Sequence, residues 1–216
     1  MMKRLLKVLF FGFVIKPLVL LALGLNIRNR KLLPLEGPGM IAANHNSHLD
    51  AIVLMSLFPL NKIHKVRPVA AADYFLSNRL LAWFALNVMD IIPLKRTGFK
   101  NLDELFAGCY QALEDREILI VFPEGTRGQP EQMGEIKRGL FHLLKKHDDA
   151  FITPVVMYGL GRALPRGEGL FVPYNCDVIV GERLPRAKSS KELVELIAQS
   201  YDNLFPYCLT RREMEW

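Results

Sequence analysis

Six short apolar runs punctuate the chain after Arg30: MIAA (40–43), VRPVAAA (66–72), the pair Ile91-Ile92, ILIVF (118–122), FITPVVMY (151–158) and CDVIVG (176–181). Runs of this length read as strands, and the stretches between them, around 49–58, 77–88, 102–113, 139–146 and 191–205, carry apolar residues at helical spacing. The alternation predicts an α/β fold: a single domain with a central mixed β-sheet flanked by helices, its functional residues gathered at strand ends. A chain of 216 residues, half of them hydrophobic, can bury one full core, and one domain is the expectation at that length. No internal repeat or low-complexity linker interrupts it.

Ahead of that pattern stands MMKRLLKVLFFGFVIKPLVLLALGLNIRNRK, apolar over 8–25 except at Lys16, with Lys3, Arg4 and Lys7 before the apolar stretch and Arg28, Arg30 and Lys31 after it. A cleaved signal peptide would need a small-x-small site after Leu25, and none follows. A spanning helix would place Lys16 and Pro17 at its middle, where one is costly in hydrocarbon and the other removes a backbone hydrogen bond. A pair of buried core helices is the plain alternative. The expectation is a bent helix pair, 5–15 and 18–26, hinged at Lys16-Pro17 and lying in one leaflet with its cations on anionic headgroups. The chain then divides into a membrane-associating helical segment, residues 1–30, and a domain over residues 31–216 that folds without residues 1–26.

A net charge of +6, from 28 Lys and Arg against 22 Asp and Glu, points to an anionic partner: nucleic acid, phosphorylated metabolites or acidic lipid headgroups. No nucleic acid partner is expected, because the sequence shows no zinc knuckle, aromatic RNA-binding run or helix-turn-helix signature, and it begins with an apolar segment. Three widely separated cysteines, Cys109, Cys176 and Cys208, offer neither a disulfide framework nor a CxxC metal site.

The sequence NHNSHLD (44–50) falls where MIAA ends and LDAIVLMSLF begins, so it is a strand-to-helix loop. Ser47 followed by Asp50 is an N-cap signature, which accounts for Ser47 and Asn44 but not for His45 and His48. In a continuous helix His45 and Asp50 would stand about 140° apart around the axis and could not meet. With His45 in the loop, its ring can fold back onto the Asp50 carboxylate, which would fix the tautomer of a general base and stabilise its imidazolium. A metal site on His45, His48 and Asp50 is the competing reading; it lacks an HExxH, a further nearby histidine or paired cysteines, and no metal is expected.

A second constellation, VFPEGTRG (121–128), follows the run ILIVF. Gly125 permits a backbone turn, Pro123 sets its entry, and Glu124 and Arg127 project from it, so Arg127 could grip two phosphate oxygens. A turn held by an internal Glu124–Arg127 pair fits the same residues. Downstream, in MGEIKRGLFHLLKKH (133–147), Lys137 and Arg138 stand at a helix entrance as a second anion contact, while Lys145, Lys146 and His147 suit the helix end or a solvated face.

NHxxxxD followed some seventy residues later by FPEGTR resembles the 1-acylglycerol-3-phosphate acyltransferases of the glycerolipid acyltransferase family, over roughly residues 36–160. The resemblance implies that His45 is the catalytic base and Asp50 its orienting partner. It implies that the third block, Phe122, Pro123, Glu124, Gly125, Thr126 and Arg127, serves the acceptor's phosphate and shapes the site, with Glu124, Gly125, Thr126, Arg127 and Lys137 as substrate contacts, and that the fourth block is Ile152, Thr153, Pro154 and Val155. The second block falls in MDIIPLKRTG (89–98), where Arg96 is the candidate for holding glycerol phosphate; adjacent Lys95 could serve instead, or both could belong to a solvated turn.

The implied reaction moves a fatty acyl group from acyl-CoA or acyl-carrier protein to the free hydroxyl of lysophosphatidate, giving phosphatidate, with no acyl-enzyme and no cofactor beyond the donor. No GxSxG supports a serine hydrolase, and Cys109, in an amphipathic stretch, reads as packing. Another lysolipid acceptor, such as a lyso-ornithine lipid or a different lysophospholipid, is one alternative; a non-enzymatic lipid-binding protein of the same fold is another, against which the intact His45 and Asp50 speak. The expected partners are the bilayer, the lysophospholipid and the acyl donor, and the expected location is the inner (cytoplasmic) membrane with the catalytic domain facing the cytoplasm.

Overall fold

The computed structural model describes residues 2–126, 128, 132–163 and 175–212. Helix α1 (Met2–Phe10) runs through a π turn (Phe11–Ile15) into α2 (Lys16–Ala22), and the chain then extends into strand β1 (Gly24–Arg28). The six apolar runs follow as β2 (Gly39–Ala43), β3 (Val66–Ala71), β4 (Ile92–Leu94), β5 (Ile118–Val121), β6 (Phe151–Tyr158) and β7 (Asn175–Val180). Between and after them lie α3 (Asp50–Ser56), α4 (Ala72–Phe75), α5 (Arg79–Phe84, continued by a π turn over Ala85–Met89), α6 (Leu102–Glu114), α7 (Gly139–Lys146), α8 (Leu160–Ala163), α9 (Ser190–Leu204) and α10 (Leu209–Arg212).

The strands form one mixed sheet in the order β1-β7-β6-β2-β5-β3-β4, with every neighbouring pair parallel except β6 and β7. Side chains alternate between its two faces. Ile41, Ala43, Ile120 and Val155 pack under the N-terminal helices and α3, whereas Met40, Ala42, Leu119 and Val156 pack against α6, α7 and α9. Because β2, β5 and β6 are parallel neighbours, their carboxyl ends open on one edge, and the loops leaving them meet there.

The N-terminal segment departs from expectation in three ways. The second helix ends at Ala22, and Gly24–Arg28 is an edge strand in parallel register with β7, Gly24 opposite Asn175 and Arg28 opposite Ile179. Asn26 donates to Asp177 Oδ1 at 2.6 Å from that strand, so the α/β domain begins inside residues 1–30. The helices do not part at Lys16-Pro17 either: Pro17 lies in the first turn of α2, where a proline is tolerated, and the π turn accommodates the change in winding.

Third, the segment is packed onto the domain. Phe11, Ile15, Val19 and Leu23, four residues apart on one face, join the core beneath β2 and α3. Burying each such side chain stabilises by about 1.5–3 kcal/mol. Removing residues 1–26 would therefore strip much of an edge strand and uncover a core face, so the sheet does not begin after them as the sequence suggests.

Lys7 does not reach toward headgroups. It is buried, its Nζ donates to Val66 O at 2.6 Å and lies 3.8 Å from Asp90 Oδ2, and Asp90 is shared with Arg67 at 3.4 Å. Lys16 likewise turns inward, donating to Phe58 O at 2.8 Å. Desolvation holds the Lys7 ammonium down to about 8, with Asp90 opposing it.

Between about pH 8 and the ordinary lysine value of 10.5, the unfolded chain keeps a Lys7 proton that the folded chain has released. Stability contributed at this position therefore rises with pH across that window, by roughly 3 kcal/mol in all. Lys7→Met removes this slope. The expected result is that the unfolding free energy of the wild type, measured in urea relative to that of the variant, increases between about pH 7.5 and about pH 10. A constant difference would show that Lys7 titrates alike in both states.

Candidate active site

The loop that leaves β2 is fastened at its root. Asn44, buried, pairs with the backbone of Met157 on β6 in both directions, donating to its carbonyl at 2.8 Å and accepting from its N–H at 2.7 Å. His45 follows in the loop and α3 begins at Asp50, so the ring folds back onto the carboxylate: Nδ1 stands 2.8 Å from Asp50 Oδ2. The same oxygen accepts from Asn46 N at 2.7 Å and Ser47 N at 2.8 Å, and Asp50 is fully buried.

Ser47 Oγ accepts from Leu49 N at 3.3 Å, and Asp50 N donates to Ser47 O at 3.2 Å, so Ser47 closes the turn that leads into α3. The helix entrance and the orientation of the histidine are thus served by a single carboxylate. With Nδ1 committed to Asp50, Nε2 is the ring nitrogen able to take a proton, and the half-buried ring stacks on Phe122 at 3.9 Å with an 18° interplanar angle.

Phe122 belongs to the loop that leaves β5, the strand beside β2. Its turn is closed by Gly125 N donating to Phe122 O at 3.0 Å, with Gly125 at φ 71°, where a glycine is suited. Glu124 is only 3% exposed, and both its oxygens are taken by backbone amides: Oε1 accepts from His45 N at 2.8 Å and Oε2 from Gly134 N at 2.6 Å. Gly128 N donates to His45 O at 3.1 Å, so the His45 backbone is held from both sides. A Cβ on Gly134 would sit 2.7 Å from Glu124 Oε2, too close to accept. Burial pushes the Glu124 carboxyl upward, and the two amide bonds pull it back.

Glu124, expected among the substrate contacts, has both carboxylate oxygens engaged by loop amides in this structure. Of the other residues expected there, Arg96 reaches across to the same turn, its Nη2 donating to Gly125 O at 2.6 Å, and Arg96, Gly125 and Thr126 are exposed together. Lys137 is exposed; its backbone N–H donates to Pro123 O at 2.8 Å and its ammonium pairs with Glu135. Arg127 lies outside the described residues. The run Ile152 to Val155 is the buried strand next to β2, with Pro154 opposite Ala42 and Val155 opposite Ala43; it supports the site from below.

Cys109 is buried and its thiol is pushed up to about 12 by desolvation, in keeping with a packing role. The His48 ring stacks on Tyr74 at 5.3 Å. Among the described residues no group of three or more His, Cys, Asp or Glu side chains is placed to hold a metal ion. Asn44, Phe122, Gly128 and Gly134 were not singled out for these roles from sequence; the two glycines near FPEGTR were the available signal, since glycine marks close backbone approach.

An oriented imidazole beside a cationic, exposed turn suits proton removal from a hydroxyl on an anionic substrate. The acyltransferase family model matches residues 24–158. The chain is 28% identical over 183 residues to the chloroplastic 1-acyl-sn-glycerol-3-phosphate acyltransferase of Arabidopsis thaliana, covering 82% of this chain and 49% of that one. It is 28% identical to the human 1-acyl-sn-glycerol-3-phosphate acyltransferase alpha, covering 74% and 54%. The chain spans about half the length of the curated relatives it matches. Among solved structures, that of the 1-acyl-sn-glycerophosphate acyltransferase PlsC from Thermotoga maritima superposes with a TM-score of 0.71 at 17% identity, covering 94% of this chain and 79% of the other, a likeness of fold.

Glu124→Gln tests the loop clamp. It preserves size but replaces one acceptor oxygen with an NH₂ group, leaving the His45 or the Gly134 amide facing a donor. The expected cost is about 1–3 kcal/mol of stability. Turnover measured at a temperature where the variant remains folded should also fall, because the His45 backbone loses its hold. A variant with wild-type stability and wild-type turnover would remove Glu124 from this role.

Proposed function

The chain belongs to the acyltransferase family, and on that premise we propose that it passes a fatty acyl group from acyl-CoA or acyl-carrier protein to the free hydroxyl of lysophosphatidate, giving phosphatidate. The observation that carries the reading is the buried Asp50 carboxylate 2.8 Å from His45 Nδ1, which leaves Nε2 as the base. The names of the curated relatives support this choice of acceptor.

In the proposed reaction, His45 Nε2 takes the proton of the acceptor hydroxyl as its oxygen attacks the carbonyl carbon of the donor thioester. The tetrahedral intermediate expels the thiolate, the C–S bond breaks, and the imidazolium returns the proton to sulfur. Asp50 keeps Nδ1 protonated throughout and stabilises the imidazolium; no acyl-enzyme forms. Arg96, beside the exposed turn at Gly125 and Thr126, is the proposed grip on the acceptor's phosphate, with Arg127 and Lys137 as further cations.

The acceptor is taken from a bilayer, the cytoplasmic face of the inner membrane. No helix among the described residues is long and apolar enough to cross a membrane. One face of the N-terminal segment is packed on the domain, while the other exposes Leu9, Phe13, Leu20 and Leu21, an arrangement suited to lying in one leaflet.

Purified His45→Ala protein should fold as the wild type and lose transfer by about 10²–10⁴-fold, with a small residue of activity left in Asp50→Asn. Near-normal turnover in His45→Ala would overturn the mechanism. Acceptor identity is read from Arg96→Ala: the KM for lysophosphatidate should rise while that for a lysolipid without a phosphomonoester stays unchanged. Equal effects on both acceptors would overturn the assignment of Arg96.

A further inference from the structure

The residues between Asp73 and Asp90 carry a single charged side chain, Arg79. Helix α5 begins within them, its start fixed by Asn78, whose Oδ1 accepts from Leu80 N at 2.8 Å and Leu81 N at 3.4 Å. The inner side of the element is well packed: Ala85, Val88 and Met89 of the π turn are buried, and Phe84 meets Phe10 of α1 edge-on at 5.1 Å. The outer side is apolar and uncovered, with Leu80 82% and Trp83 55% exposed and Leu76 exposed just ahead of the cap.

Two contacts place this face. The Phe10–Phe84 contact sets α5 beside the N-terminal segment, whose own exposed face carries Leu9 and Phe13. The Tyr74–His48 stack ties α4, which follows directly on the carboxyl end of β3, to the loop that carries His45. These two contacts place α5 beside the N-terminal helices and α4 beside the loop that carries His45.

We propose that α5 is a second bilayer contact, separate from α1 and α2, with Leu76, Leu80 and Trp83 seated at the level of the lipid headgroups and upper acyl chains beside the mouth of the active site. This rests on the reading that the acceptor is drawn from a membrane. A lipid surface fits better than a protein partner because the segment's only charge is a cation at the helix start, suited to anionic headgroups, and carries no acidic side chain that they would repel. An exposed indole in an apolar face is also suited to the membrane–water interface, with its ring among acyl chains and its N–H toward water.

The chain has two tryptophans, Trp83 and Trp216, so Trp216→Phe makes Trp83 a lone reporter. The full-length variant is mixed with vesicles of phosphatidylcholine and phosphatidylglycerol, with or without brominated acyl chains, and sedimentation reports attachment. The expected result is sedimentation with a blue shift of Trp83 emission and strong quenching by the brominated chains. Leu80→Asp should weaken vesicle binding about tenfold and raise the KM for vesicle-borne lysolipid while sparing turnover of a short-chain, soluble acceptor.

Protein that sediments with unshifted, unquenched Trp83 overturns the α5 contact but leaves attachment through α1 and α2 standing. Protein that does not sediment overturns both. A dimer in solution whose Trp83 is shielded from acrylamide assigns the face to a second copy of the chain and likewise overturns the proposal.

Discussion

A carboxylate buried without compensation costs several kcal/mol, and three donors that converge on Asp50 Oδ2 offset that cost in part. Two are backbone amides of the loop it follows and the third is the His45 ring. The loop's course, the start of α3 and the tautomer of the imidazole are consequences of meeting that one need. Glu124 repeats the device on the neighbouring strand, with one amide from each of two loops. Both carboxylates organise backbone, and one of them also orients the His45 ring.

The inward turn of Lys7 and Lys16 has an analogous effect on the N-terminal segment. Long lysine stems reach carbonyls of Val66 and Phe58, so charges that interrupt the apolar sequence are satisfied inside the protein. The outer face is left with Leu9, Phe13, Leu20 and Leu21. The two lysines that interrupt the apolar stretch, Lys7 and Lys16, are thereby assigned to the packed side of the segment.

Strands β2, β5, β6 and β7 were legible because strands buried on both faces read as continuous apolar runs, and the longer helices because their spacing is regular. Strand β1 was not: GLNIR is partly exposed at the sheet edge and merges with the apolar stretch before it, and its pairing with β7 lies some 150 residues away. The ring of His45 on Asp50 was legible from a five-residue spacing across a strand-to-helix junction. The task of Glu124 was not, because its partners are backbone amides, which leave no mark on residue identity. Lys7 escaped for a related reason: Val66 and Asp90 are distant in sequence and only the fold brings them together.

The grip on His45 by Glu124 and Gly128 also bears on how such chains can change length. It joins two loops leaving adjacent, hydrogen-bonded strands, β2 and β5, so the 79 residues separating His45 from Glu124 are not themselves a spacer. Everything between Asp50 and Ile118 leaves that strand pair and returns to it. Insertions or deletions in the exposed turns of that excursion, such as the one around Gly98, would leave the strand register and the loop contacts where they are. A single residue added between His45 and Asp50 would not be absorbed, because the ring, two amides and the helix start all meet one oxygen. The motif is rigid at the scale of five residues and elastic at the scale of seventy.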